Sequence, residues 1–205
     1  RKMKDGLKTG SNLRVSQESL SNKFSPQIVS AGKKFAVLWQ DDDYKIKLAF
    51  IDENNVLSGS IIDAGTASKI VSPRIAWSGQ YLGIVWADEK NYVKDVYLTL
   101  LDASGNIVSG PSAVGTAVGG ASEPDVLWTG SKFYVSYTGA TSQDIYLAKI
   151  ASNGNVSEKD INISNTSAKS YFSRLEKASA GVIATAWLED DGTTNKILGA
   201  TESSE

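Results

Sequence analysis

Residues 73–105 read PRIAWSGQYLGIVWADEKNYVKDVYLTLLDASG. Short runs of β-branched, aromatic and aliphatic side chains are separated by Ser-Gly, a polar loop and Asp-Ala-Ser-Gly. That is the pattern of antiparallel strands joined by tight turns, here at 74–77, 81–86 and 95–101. Slid along the chain, the unit returns. Pro26, Pro73 and Pro124 each open a unit, and Trp39, Trp86 and Tyr137 follow at one fixed distance. Trp187 continues the series at a period of about fifty residues. Gly32, Gly79 and Gly130 precede the aromatic residue by a constant interval. YKIKLAFIDENN (44–55), KDVYLTLLDASGN (94–106) and QDIYLAKIASNGN (143–155) repeat the third strand and its turn, and NKILGATESSE (195–205) fills that place in the last unit.

Four such units in 205 residues predict an all-β chain with a single domain over residues 1–205. The expected architecture is a β-propeller, most simply four blades of four antiparallel strands. The blades are expected at about 24–63, 71–114, 122–163 and 170–201. The last unit has no fourth strand of its own. Near the start, Leu13 and Val15 alternate with polar neighbours in a strand expected at 12–17. That N-terminal strand is expected to complete and close the last blade, which would remove an exposed sheet edge. A longer propeller with further blades is the competing reading.

The repeats resemble those of bacterial secreted and surface proteins that read P-x-I/V-x-W-x-G-x-x-Y-x-V-x-W-x-D, then D-I/V-Y, then D-x-x-G. The resemblance covers about residues 24–201 and is closest in units two and three; unit four lacks the Pro and the D-I/V-Y element. It implies an exported, cell-surface or periplasmic setting. It says little of activity, because one propeller fold hosts many functions.

Composition removes several classes. The chain has no Cys and no His, so disulfides, thiolate metal sites, a Ser-His-Asp triad and the commonest metal ligand are excluded. Net charge is −2 with no basic stripe, so nucleic acid is not an expected partner. No run of about 18 apolar residues predicts membrane insertion. No stretch of these residues reads as a signal peptide.

Three sets of residues are candidates for function. Trp77 and Trp128 share a place in the first strand where the other units carry Ser30 and Lys177, so they are candidates for stacking on a ligand. Gln27, Arg74, Asp125 and Arg174 come one from each unit, near the start of the innermost strand, and suggest a charged ring around the axis. Asp41, Asp43, Asp88, Asp190 and Asp191 lie in loops between second and third strands, where a shared acidic rim would suit Ca²⁺ or a basic partner. No loop has EF-hand spacing, and no other cofactor is expected. The preferred reading is a non-catalytic, monomeric interaction or adhesion scaffold that meets a protein or glycan on its loop-rich rim. The alternatives are a carbohydrate-binding module and, behind it, a glycoside hydrolase using paired carboxylates such as Asp88 and Asp190.

Overall fold

A computed structural model gives the architecture and describes residues 2–4, 7–9, 11–16, 22–66, 68–90, 93–116, 119–178 and 181–203. A two-stranded ribbon, β1 (Lys2–Lys4) and β2 (Leu7–Thr9), comes first. Blade one follows with β3 (Lys23–Ala31), β4 (Lys34–Asp41), β5 (Lys45–Asp52) and β6 (Ile62–Thr66). Blade two has β7 (Ile70–Trp77), β8 (Tyr81–Lys90), β9 (Val93–Asp102) and β10 (Ile107–Gly115). Blade three has β11 (Ala121–Trp128), β12 (Lys132–Gly139), β13 (Ile145–Ala151) and β14 (Val156–Asn162). Blade four has β15 (Lys169–Lys177), β16 (Val182–Asp190) and β17 (Asn195–Ser203). Every blade is an antiparallel meander in chain order, and the chain is an all-β propeller.

Local chemistry sets the turns. Gly32, Gly79 and Gly130 adopt positive φ in the first hairpin, which costs a residue without Cβ little. Ser78 Oγ accepts the N–H groups of Gln80 and Tyr81, and Thr129 Oγ1 accepts that of Lys132. In the hairpin after the third strand, Asp52 Oδ1 accepts from Asn54 and Val56, as Asp102 Oδ1 does from Ser104 and Asn106. These Asx turns explain why Asp recurs there.

Packing between blades follows the two-residue period of the second strands. Leu82, Ile84 and Trp86 of β8 bury themselves with Ala36, Leu38, Ile46, Leu48 and Phe50 of blade one. Val85 and Ala87, on the opposite face, join Phe133, Val135 and Tyr137 of blade three. Tyr134 and Leu147 then meet Leu175 and Ile183 of blade four. Large residues land on small ones: a Cβ on Gly83 would lie 2.7 Å from the Phe133 ring, one on Gly115 2.8 Å from Tyr137, and one on Gly65 3.4 Å from Trp86.

Two expectations change. The first strands begin before the prolines, at Lys23, Ile70 and Ala121, so Pro26, Pro73 and Pro124 sit inside them. A bulge makes room: Ser25, Ser72 and Glu123 have positive φ and the ladder slips there, which frees the following residue from donating. The closing strand is also not found. Residues 11–16 form no strand, Gln17 lies outside the described residues, and blade four is a three-stranded sheet ending at β17. The physical reason is the shape of the arc. β3 packs on β7, β7 on β11 and β11 on β15, but among the described residues no comparable packing joins β15 back to β3. A strand at 12–16, tethered to blade one, therefore has no neighbouring edge to complete.

Trp86 tests the wedge. Trp86→Ala should cost about 3–5 kcal/mol in urea denaturation, whereas Trp86→Phe should cost less than about 1.5 kcal/mol because the ring volume is largely kept. Gly83→Ala should cost about 1–3 kcal/mol by overpacking against Phe133. Equal losses for both Trp86 variants would refute the packing account.

Candidate functional site at the axis

The bulge recurs in all four first strands, at Ser25, Ser72, Glu123 and Phe172, each with φ near +50°. The ladder resumes two residues later, at Gln27, Arg74, Asp125 and Arg174. These are the four axial candidates read from the sequence. A non-glycine residue in this backbone region costs of order 1 kcal/mol or more. Bulges re-aim the side chains beside them, and the fourfold recurrence marks this end of the axis as built for that purpose.

Three of the four side chains are brought together. Asp125 stands between its neighbours: Oδ1 is 3.8 Å from Arg74 Nε on blade two, and Oδ2 accepts the Leu175 N–H from blade four at 2.9 Å. The Arg74 and Asp125 side chains are 19% and 14% exposed, so the pair is recessed but reachable from solvent. Burial pushes the Asp125 carboxyl above its ordinary value, opposed by the Leu175 N–H and the charges of Arg174 and Arg74. Burial and then the Arg174 charge push Arg74 down, opposed by Asp125. Asp125 thus pairs with Arg74 and feels the charge of the exposed Arg174. Arg74 and Arg174 each donate to the carbonyl of the residue before them, and Gln27 does the same to Pro26. Glu123 steadies the wall: Oε2 accepts the Phe172 N–H at 3.2 Å and the Thr138 hydroxyl at 3.3 Å.

The other candidates stand elsewhere. Trp77 and Trp128 end β7 and β11, three residues beyond Arg74 and Asp125 in mid-strand. Trp77 packs into the core between blades one and two, and Trp128 lies 4.8 Å from the Phe133 ring between blades two and three. Both read as wedge residues rather than stacking platforms.

The loops between second and third strands do share a face with the connections entering each blade. Asn22 N–H reaches Asp42, Lys69 N–H reaches Asp88, and Ser170 N–H reaches the Gln143 carbonyl. Their acids, however, are occupied locally. Asp41 Oδ1 accepts the N–H groups of Asp43 and Lys45. Asp190 accepts that of Gly192. Asp191 accepts from Thr193 and Thr194 and pairs with Lys196 at 2.6 Å. Asp43 contributes its N–H to this turn and not its carboxylate. Among the described residues no three acidic side chains converge to hold an ion.

No family model matches the sequence, and no curated protein matches it either. Solved structures do match in fold. An exo-β-1,3-galactanase from Phanerochaete chrysosporium superposes with a TM-score of 0.62 at 12% identity, covering 96% of this chain and 52% of that one. A neuraminidase-like protein, subtype N10, of A/little yellow-shouldered bat/Guatemala/060/2010 gives 0.55 at 9%, covering 90% and 61%. An endo-arabinase from Bacteroides thetaiotaomicron gives 0.57 at 11%, covering 90% and 76%. The chain spans little more than half the length of the first two. These likenesses show the fold, a β-propeller.

Asp125 sets a pH signature. The folded chain holds its proton more tightly than the unfolded chain, whose carboxyl titrates near 3.8. This group therefore adds stability as pH falls from its raised folded value toward 3.8, and the gain is lost again as pH rises through the folded value. The difference in melting temperature between the unaltered chain and Asp125→Asn should shift in favour of the former across that window. A pH-independent difference would refute the assignment.

Proposed function

We propose that the chain is the glycan-binding part of a carbohydrate-active propeller, and that its axial end holds a saccharide bearing a carboxylate. The observation that carries this reading is the Arg74–Asp125–Arg174 cluster. Arg74, half-buried beside Asp125, and the exposed Arg174 offer guanidinium donors for an anion. Arginine is suited to the task, because its planar fork matches a carboxylate in two hydrogen bonds. The likeness to galactanase and arabinase propellers adds support for a saccharide. The rim-docking scaffold gives way to this reading because the rim acids cap their own loops.

Hydrolysis is the second reading, favoured by one observation: Asp125 is a buried carboxyl held above its ordinary range, the state a general acid needs. A glycosidase also needs a second carboxylate at roughly 5–9.5 Å. Asp88 and Asp190 do not supply the pair. They lie not on loops but at the ends of the second strands β8 and β16, with the whole of blade three between them. The first strands carry two acids besides Asp125: Glu123, whose Oε2 is engaged with Phe172 and Thr138, and the exposed Glu176 on β15, whose Oε1 accepts the Lys177 N–H.

Calorimetric titration with oligogalacturonate and sialyllactose, against neutral galactan and arabinan oligosaccharides, tests the proposal. An acidic saccharide should bind and weaken with salt, and Arg74→Ala or Arg174→Ala should each cost at least about tenfold, since a hydrogen bond to a charged group contributes about 1.5–3 kcal/mol. Failure of every acidic saccharide to bind would overturn it. Release of reducing sugar that Asp125→Asn abolishes would move the assignment to hydrolysis.

A further inference from the structure

The interface between blades three and four departs from the repeat at matched places. Third strands send alternate residues to the two neighbouring blades. Phe50 and Leu100 point on to the next blade, Leu101 and Ile150 point back to the one before, and all four are buried in the cores between blades. The register puts Lys149 of β13 in the place of Phe50 and Leu100, and Glu202 of β17 in the place of Leu101 and Ile150. On the second strand of blade four, Thr185 stands where Ile84 and Val135 are buried in blades two and three. Where the first two interfaces bring apolar residues together, this one sets an ammonium against a carboxylate: Lys149 Nζ is 4.0 Å from Glu202 Oε2.

The exchange does not fill the wedge. β6 packs on β9, and β10 on β13 and β14, but among the described residues β14 makes no comparable contact with β17. A cavity of about 160 Å³ opens there, lined by Leu147 and Ile163 of blade three and by Thr185, Ala200, Thr201 and Glu202 of blade four. Glu202 is its charged wall. Its Oε2 faces Lys149, whereas its Oε1 is buried without a hydrogen-bond partner among the described residues. Lys149 is anchored on the blade-three side, 3.9 Å from Glu158 and over the Tyr134 ring. A buried carboxylate oxygen without a donor is unfavourable, so a ligand that brings one is favoured.

We propose that this cleft is a second binding site and that it takes a small organic ammonium, which donates an N–H to Glu202 Oε1 and lays its apolar body on Leu147 and Ile163. Charge selects a cation. Two carboxylates, Glu158 and Glu202, share the one ammonium of Lys149 among the described residues, which leaves an excess negative charge beside the cavity. Size sets the body: an apolar cavity of about 150 Å³ holds a benzene ring, so one ring or a short alkyl chain fits. The site is separate from the axial cluster, which the first strands carry, and does not depend on the saccharide reading.

Amide chemical-shift titration with benzylammonium, against benzyl alcohol and benzoate, tests this. Benzylammonium should move the signals of Thr185, Ala200 and Thr201 at millimolar concentration, and the alcohol and the benzoate should each bind at least about tenfold more weakly, since a hydrogen bond between charged groups is the stronger kind. Glu202→Gln keeps the shape of the side chain and should weaken benzylammonium at least about tenfold. Glu202→Leu restores the residue type of the other blades; it should keep the fold by circular dichroism and abolish binding. The comparison of the three ligands on the unaltered chain needs no variant. Silence of these amides up to about 20 mM benzylammonium, where a ligand of this size should register, would overturn the proposal. So would equal binding of benzyl alcohol or benzoate, or affinity retained in either variant. Lys149 and Glu202 would then be an ion pair that only joins two blades.

Discussion

The structure depends on a wedge fit between sheets. Each blade has two faces, and each face is covered only if the next blade's large side chains find small ones opposite. Phe133 on Gly83, Tyr137 on Gly115 and Trp86 on Gly65 are instances of one contact. Its energetics favour size over polar satisfaction. The indole N–H groups of Trp39, Trp86 and Trp187 are buried without an acceptor among the described residues. An unpaired donor costs about 1–3 kcal/mol, whereas a buried aromatic ring of about 150–250 Å² contributes roughly 4–6 kcal/mol at 25 cal/mol per Å². The ring wins, so the repeat keeps Trp. In blade three the place is taken by Tyr137, whose hydroxyl donates to Asp160 Oδ1 at 2.8 Å and accepts the Asp160 N–H. Burial first, and then Asp160, push that phenol far above its usual range, so it stays a neutral donor.

The same repeat places the axial site. Because all four first strands bulge at one level, four side chains are re-aimed at one level, whatever their chemistry. The bulge is therefore scaffold, and the choice of Gln27, Arg74, Asp125 and Arg174 is free to serve a ligand. Asp125 is the hinge of that choice. It binds Arg74 by charge and blade four by the Leu175 N–H, so it joins three blades while screening two cations. Removing it would loosen the wall and leave the guanidiniums facing each other.

Much of the fold was legible because alternation and turn chemistry are local. The strands, the hairpin glycines, the Asx turns and the aromatic period need only neighbours in sequence. The bulges were not legible: Ser25, Ser72, Glu123 and Phe172 share no side-chain property that demands positive φ. Their only trace is the proline after three of them, which reads equally as the start of a strand. The closing strand failed for a related reason. Leu13 and Val15 mark a half-buried face, but alternation names no partner, and the span of the arc is a property of four blades together. The axial quartet was found because it needs only the repeat register; its pairing through Asp125 needs the distance between blades. The acidic loops mislead because an Asp that caps a turn and an Asp that holds a cation look alike until the backbone N–H groups are placed.

Charge distribution then decides what the axis can attract. The chain is acidic overall, with net charge −2, yet two arginines, Arg74 and Arg174, stand at its axial end. The loop carboxylates do not cancel them. Several are engaged by backbone N–H groups, and Glu89 and Asp191 are paired with lysines. What repulsion remains is screened over about 8 Å at physiological ionic strength. Arg74 acts at contact distance and partly out of water, where a charge–charge interaction is several times stronger than at the surface. An anionic group that reaches Arg74 can therefore be paired there even though the molecule as a whole carries negative charge. Under the proposed reading, an acidic saccharide that presents a carboxylate to Arg74 is held by that contact, whatever the net charge of the chain.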